Sequence, residues 1–272
     1  MNPNFTGYSC SMARGYFGED TYTTPESGNS FKRWLLRDNW FYFLTSYLEI
    51  VIRTRKLALK GFYDDAVWAE SSVDIFRLIE RTGGIFEIEG MENIDKIDAP
   101  VVFVSNHMST LETMIFPGLI APRRRVTFVV KDSLVKHPLF GPVMRSREPI
   151  VVGRKDPRKD FEAVMNQGPV LLSQGISLII FPQSTRSNEF KPEEFNSLGI
   201  KLAKKADVYI VPVAIKTDFW GNGRVVKEIG KLDHTKRIHI KFGEPFKISG
   251  TGREENQKII EFIMDHLNKW GA

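Results

Sequence analysis

The sequence predicts an α/β fold: a mixed β-sheet flanked by helices and preceded by an N-terminal amphipathic helical hairpin. Three observations lead there. From residue 84 onward, short runs rich in Val, Ile and Phe alternate with stretches of helical period, as in a layered α/β domain. Ahead of them, residues 31–81 hold two stretches whose apolar residues recur at three- and four-residue spacing. Apolar residues make up 42% of the 272-residue chain and charged residues 26%, which is enough to build a core and too polar for a polytopic membrane protein.

Residues 1–30 are polar, rich in Ser, Thr, Gly and Asn, and show neither a helical nor a strand period, which reads as a poorly ordered arm. Residues 31–83 form the hairpin segment. Its first helix, 31–58, carries Phe31, Trp34, Leu35, Phe41, Leu44, Leu48, Val51 and Ile52 on its apolar face, with Lys32 and Arg33 before the run and Arg53, Arg55 and Lys56 after it. The dense part, 40–52, includes Glu49, and a spanning helix needs about 20 apolar residues. This helix is expected to lie in a headgroup region or to pack on the core. A second helix, 64–81, follows through Gly61. The main domain, 84–272, is expected to hold strands at 85–88, 101–105, 126–130, 150–152, 177–181, 208–215, 225–229 and 238–242. Its helices are expected at 110–120, 138–144, 157–173, 197–205 and 254–269. Asp156-Pro157 is a good helix start, an acidic cap followed by Pro at the first helical position.

The single cysteine, Cys10, allows neither an internal disulfide nor a cysteine zinc cluster. The net charge is +5, yet residues 121–160 alone hold eleven Lys/Arg against four Asp/Glu. Such a stretch is either a solvated surface or a phosphate-attracting one. The chain has no P-loop, dinucleotide fingerprint or nucleic-acid recognition motif.

Three segments can carry chemistry. In the first, an apolar run, 101–105, enters a polar turn that opens a helix, with His107 in the turn and Glu112 near the helix start. A spacing of five is about 140° off register within one helix, so the two meet only if His107 precedes the helix and folds back. A carboxylate on one imidazole nitrogen fixes the tautomer and frees the other nitrogen to take a proton. A His near a Glu is more often structural; the strand–turn–helix setting improves the odds of the catalytic reading. In the second, 179–187, another apolar strand ends in a polar turn with Arg186 at its tip and Ser184, Thr185 and Ser187 around it. Arg offers a planar fork of donors to phosphate or carboxylate, although taken alone the segment reads more readily as an ordinary loop with a surface Arg. The third, 129–155, supplies the charge surplus and places Arg154 just after a short strand. Two arginines at strand ends can converge on one phosphate.

Taken together, these segments resemble the glycerolipid acyltransferases, in particular the bacterial lysophosphatidate acyltransferases. The family's Asn-His block, with an acid five residues after the His, is similar to Asn106-His107 with Glu112. Its second block is similar to Lys131, the Pro138-Leu-Phe-Gly141 turn and Arg154. Its Phe-Pro-Glu-Gly-Thr-Arg-Ser block is similar to Phe181-Pro182-Gln183-Ser184-Thr185-Arg186-Ser187. The fourth, with Val-Pro-Val, is similar to the strand around Pro212. The resemblance implies an O-acyltransferase in which His107 deprotonates the acceptor hydroxyl and Glu112 orients the imidazole. It implies that Lys131, Arg154, Gln183, Ser184, Thr185 and Arg186 bind substrate, with Arg154 and Arg186 on the acceptor phosphate. It implies direct transfer without a covalent enzyme intermediate, no cofactor and no metal, with acyl-CoA or acyl carrier protein as co-substrate. The implied partners are a lysophospholipid acceptor and the phospholipid surface, with the chain peripheral or monotopic on the cytoplasmic face of the membrane. Two residues depart from the pattern: Glu112 stands where Asp is usual, and Gln183-Ser184 where Glu-Gly is usual. The second change keeps two alternatives open, another polar lipid or glycolipid as acceptor, or a catalytically silent membrane-docking homologue.

Overall fold

Val101–Ser105 (β3) is buried over its whole length, as befits a strand at the centre of a sheet covered on both faces. The structure is a computed structural model that describes residues 16–17, 20–25, 39–183, 185–223 and 230–271. Around β3 the described strands are β1 (Tyr22–Thr23), β2 (Phe86–Glu89), β4 (Val126–Lys131), β5 (Ile150–Val152), β6 (Ser177–Ile180), β7 (Tyr209–Lys216) and β8 (Ile238–Phe242). They form one mixed sheet in the order β1-β2-β8-β7-β3-β6-β4-β5. From β5 to β7 every neighbouring pair is parallel, whereas β8 runs antiparallel to β7. The carboxyl ends of five strands therefore share one edge, where open α/β sheets bind their ligands.

The helices are α1 (Trp40–Leu59), α2 (Asp65–Arg81), α3 (Glu92–Asp95), α4 (Leu111–Ile120), α5 (Asp132–Lys136), α6 (Gly141–Ser146), α7 (Pro157–Ser173), α8 (Leu198–Ala206) and α9 (Arg253–Lys269). α7, α8 and α9 pack on the strands, α2 packs on α4, and α1 packs on α2 and α6. Asn39 caps α1, its side-chain oxygen accepting from Tyr42 N–H at 2.9 Å. The first residues of the expected 31–58 helix, 31–38, lie outside the described residues, as does the expected strand 225–229.

α1 carries two apolar stripes. Phe43, Tyr47 and Val51 are buried, and Phe43 and Tyr47 meet Trp220 edge to face at 4.9 and 5.1 Å. Phe41 and Ile52 face outward, 72% and 45% exposed, and Phe62 in the following turn is 67% exposed. The helix thus packs on the core on one side and still presents apolar surface on the other. No helix among the described residues is long and apolar enough to cross a membrane.

Two expectations are corrected. The helix expected over 138–144 starts later, at Gly141 (α6), and a separate short helix, α5, ends before Pro138. Pro138 holds His137 in extended backbone, ψ 130°, and the residue before a proline avoids helical geometry. Within the arm, residues 22–23 pair with β2. Tyr16 and Tyr22 each donate to Glu80 at 2.6 Å, and Phe17 packs on Phe76 at 4.6 Å. These aromatics pack on one another and on α2, some sixty residues away, and a contact that distant leaves no sequence period to announce it.

Candidate active site

β3 and β6 are paired neighbours, Val104 opposite Ile180, so the turns that follow them leave the sheet side by side. Asn106 anchors the first turn. Its Nδ2 donates to the Ile215 carbonyl at 2.8 Å and its Oδ1 accepts the Ile215 N–H at 2.9 Å, which adds a side-chain rung between β3 and β7. His107 is the next residue.

Glu112 sits in the first turn of α4 and reaches back over the helix start. Its Oε1 accepts from His107 Nδ1 at 2.8 Å, Met108 N–H at 2.7 Å and Ser109 N–H at 2.8 Å. Its Oε2 accepts from the Thr217 hydroxyl at 2.6 Å, and Ser109 Oγ lies 2.9 Å from the same oxygen. Glu112 thereby makes the acid's half of a capping box, returning to the Ser109 N–H three residues back, while the Ser109 hydroxyl accepts from the Leu111 N–H at 3.0 Å. That is how a spacing of five brings His107 and Glu112 together. The dipole of α4 also favours an anion at this end.

Glu112 is fully buried and the His107 side chain is 12% exposed. Burial alone would raise the Glu112 pKa; the hydrogen bond and charge of His107 and the Thr217 hydroxyl outweigh it and hold the carboxyl below its usual range. A carboxylate can only accept, so Nδ1 carries the hydrogen and Nε2 is left with the basic lone pair.

The second turn braces the first. The Phe181 ring stacks on the imidazole at 4.3 Å, 18° from parallel. Gln183 Oε1 accepts the His107 N–H at 2.7 Å, and the Ser187 N–H donates to the His107 carbonyl at 3.0 Å. The Arg186 guanidinium donates to the hydroxyl of Thr110, just ahead of α4. Arg154 follows β5 in the left-handed region, φ 55°, a conformation few non-glycine residues adopt. Asp160 of α7 holds it there by accepting from the N–H groups of Gly153 at 2.8 Å and Arg154 at 2.9 Å. The Arg154 side chain extends to the Gln183 carbonyl at 3.4 Å.

Of the residues singled out in the sequence, His107, Glu112 and Gln183 lie in one bonded network, Arg154 joins it through the Gln183 carbonyl, and Arg186 bonds to Thr110 in the turn between His107 and α4. Lys131 is exposed at the end of β4, on the same sheet edge, opposite Val152. Thr185 is exposed, its hydroxyl 3.5 Å from the Arg186 carbonyl. Ser184 lies outside the described residues. Sequence reasoning missed Asn106 as an anchor, Ser109 as a cap and Thr217 as a donor to Glu112. The Ser-x-x-Glu spacing was available as a signal for Ser109; nothing local marks Thr217. Among the described residues no group of three or more His, Cys, Asp or Glu is placed to hold a metal.

Residues 85–216 match the acyltransferase family, a span that includes both turns and ends one residue before Thr217. Over 204 residues the chain is 30% identical to a 1-acyl-sn-glycerol-3-phosphate acyltransferase of Pseudomonas aeruginosa, covering 74% of this chain and 75% of that one. It is 28% identical over 203 residues to a probable 1-acyl-sn-glycerol-3-phosphate acyltransferase of Mycoplasma genitalium, covering 72% and 70%. A chloroplastic enzyme of the same description from Arabidopsis thaliana is 29% identical over 160 residues, and there the match spans 41% of the relative. The crystal structure of the 1-acyl-sn-glycerophosphate acyltransferase PlsC from Thermotoga maritima shares the fold, with a TM-score of 0.61 at 20% identity, over 89% of this chain and 98% of that one. With both turns inside the matched span and three quarters of a 30%-identical relative covered, the chain belongs to the acyltransferase family.

Proposed function

We propose that this chain transfers a fatty acyl group from a thioester, acyl-CoA or acyl carrier protein, to the free hydroxyl of lysophosphatidate or a related lysophospholipid, with His107 as general base. The observation that carries this is the 2.8 Å bond between His107 Nδ1 and the fully buried Glu112. It leaves Nε2 as the proton acceptor. Nε2 takes the hydroxyl proton as the oxygen attacks the thioester carbonyl. The tetrahedral adduct collapses, the C–S bond breaks, and the departing thiolate takes the proton back from the imidazolium. Glu112 stabilises the imidazolium while it exists. No enzyme nucleophile is required, and Ser109 is engaged with Glu112 and Thr217.

The test is thiol release from acyl-CoA with and without lysophosphatidate, repeated with acyl carrier protein and a panel of lysolipids. Release that requires the acceptor supports the proposal; silence with every pair of substrates rejects it.

Arg154 and Arg186 are proposed to hold the acceptor phosphate. A charge-assisted hydrogen bond contributes about 1.5–3 kcal/mol, so Arg154→Ala or Arg186→Ala is expected to raise the lysophosphatidate KM about 10–100-fold. An acceptor without phosphate should show no such penalty, and equal losses on both acceptors would remove the assignment.

The outward stripe of α1 is proposed to seat the protein on a phospholipid surface. Arg53 and Lys56 lie beside the apolar groove formed by Leu48, Ile52 and Leu57, the pairing of apolar face and cations that suits an interfacial helix. Because Phe41 and Ile52 are exposed, Phe41→Asp with Ile52→Asp should leave the fold intact and release the protein from sedimenting anionic liposomes. Unchanged sedimentation would count against this surface.

A further inference from the structure

The His107 peptide is held from both sides by a single loop. Gln183, 2% exposed, accepts the His107 N–H at its Oε1, and Ser187 donates to the His107 carbonyl. The next two N–H groups, of Met108 and Ser109, turn instead toward Glu112. Adjacent amides bound to different acceptors, one on each side of the residue, fix the backbone torsions that aim the imidazole. The ring is then held by Glu112 on one nitrogen and by Phe181 on its face. Gln183 thus supplies the support that sets where the ring starts from.

We infer that Gln183 is a positioning residue for the base, and that what position 183 must supply is an acceptor oxygen, whether or not that oxygen carries charge. This rests on the acyl-transfer proposal. The inference accounts for Gln where the resembling family has Glu: carboxamide and carboxylate share a shape, and each can accept the His107 N–H. The amide does so without burying a second anion near Glu112, and an uncharged polar group costs less to bury. The Gln183 carbonyl meanwhile receives the Arg154 side chain, so the base and one proposed phosphate-binding cation are both located against the same residue. Catalysis by an aligned base is steep in geometry, and a shift of about 1 Å can cost about 10²-fold.

The experiment compares kcat and KM for lysophosphatidate in the unsubstituted chain, Gln183→Met and Gln183→Glu, with melting temperatures recorded for each. Met matches Gln in length and offers no comparable acceptor. Expected are a kcat lowered about 10–100-fold in Q183M with KM within about threefold, and a kcat within about threefold of the unsubstituted chain in Q183E. A raised KM at unchanged kcat in Q183M would make Gln183 a substrate contact and overturn the inference. So would a Q183E variant as slow as Q183M, and that comparison of Q183E with the unsubstituted chain stands even if Q183M fails to fold. Failure of the acyl-transfer proposal is separate, since it shows as silence of the unsubstituted chain.

Discussion

Replacing His107 with alanine is expected to lower kcat for acyl transfer by about 10²–10⁴-fold, the usual effect of removing a general base. The fold should survive. Glu112 keeps the N–H groups of Met108 and Ser109 and the Thr217 hydroxyl, so no buried carboxylate is stranded. What is lost is an imidazole that is 12% exposed and its stacking on Phe181. Acceptor binding should change little, because the arginines proposed to hold the phosphate are unaltered. Thiol release under single-turnover and steady-state conditions measures this directly. Full activity in His107→Ala, at an unchanged melting temperature, would end the general-base mechanism.

Glu112→Gln is the second large effect. It is expected to cost about 10²–10⁴-fold in kcat, as loss of the carboxylate that fixes a catalytic imidazole does elsewhere. Unlike His107→Ala, it should also destabilise the fold. An amide has one accepting oxygen. If that oxygen takes the place facing His107, Met108 and Ser109, an NH₂ group faces the Thr217 hydroxyl and the second approach of Ser109 N–H at 3.1 Å. The Ser109 N–H then meets a donor at that approach, and the Thr217 hydroxyl must turn to accept, so charge-assisted bonds are lost in a dry site at a cost of about 1–3 kcal/mol. The pH dependence gives an independent check. The Glu112 carboxyl titrates lower in the folded chain than in the unfolded one, where it has its ordinary value. Its contribution is therefore complete above the unfolded pKa and falls away as pH drops through the folded one. The melting temperature of the unsubstituted chain should decline through that acid window, and Glu112→Gln should flatten this part of the decline. Parallel acid limbs would show that Glu112 is not the group responsible.

The sequence made the local pieces legible. The strands at 101–105, 150–152 and 238–242 and the helix at 157–173 stand where the pattern of Val, Ile and Pro placed them, because burial on both faces and a capping Asp-Pro are local signals. His107 and Glu112 could be named as a pair, but the arrangement that joins them depends on Glu112 folding back onto the N–H groups of Met108 and Ser109. The roles of Thr217 and Gln183 were out of reach for a different reason. Each is defined by a contact across 105 and 76 residues, and no periodicity reports which loops a sheet will set side by side. The docking of Tyr16 and Tyr22 on Glu80 was hidden in the same way.

The placement of Thr217 and Ile215 has a consequence for biosynthesis. Asn106 is anchored 109 residues downstream and Glu112 receives its last donor 105 residues downstream. Both anchors lie on β7 or directly after it, and β7 must insert beside β3 before either contact exists. A nascent chain that has left the ribosome only as far as α7 already carries His107 and Glu112, yet it has neither anchor. Contacts this distant in sequence form late, since loop closure must precede them. The anchored His107–Glu112 arrangement is therefore complete only once β7 has been synthesised and docked.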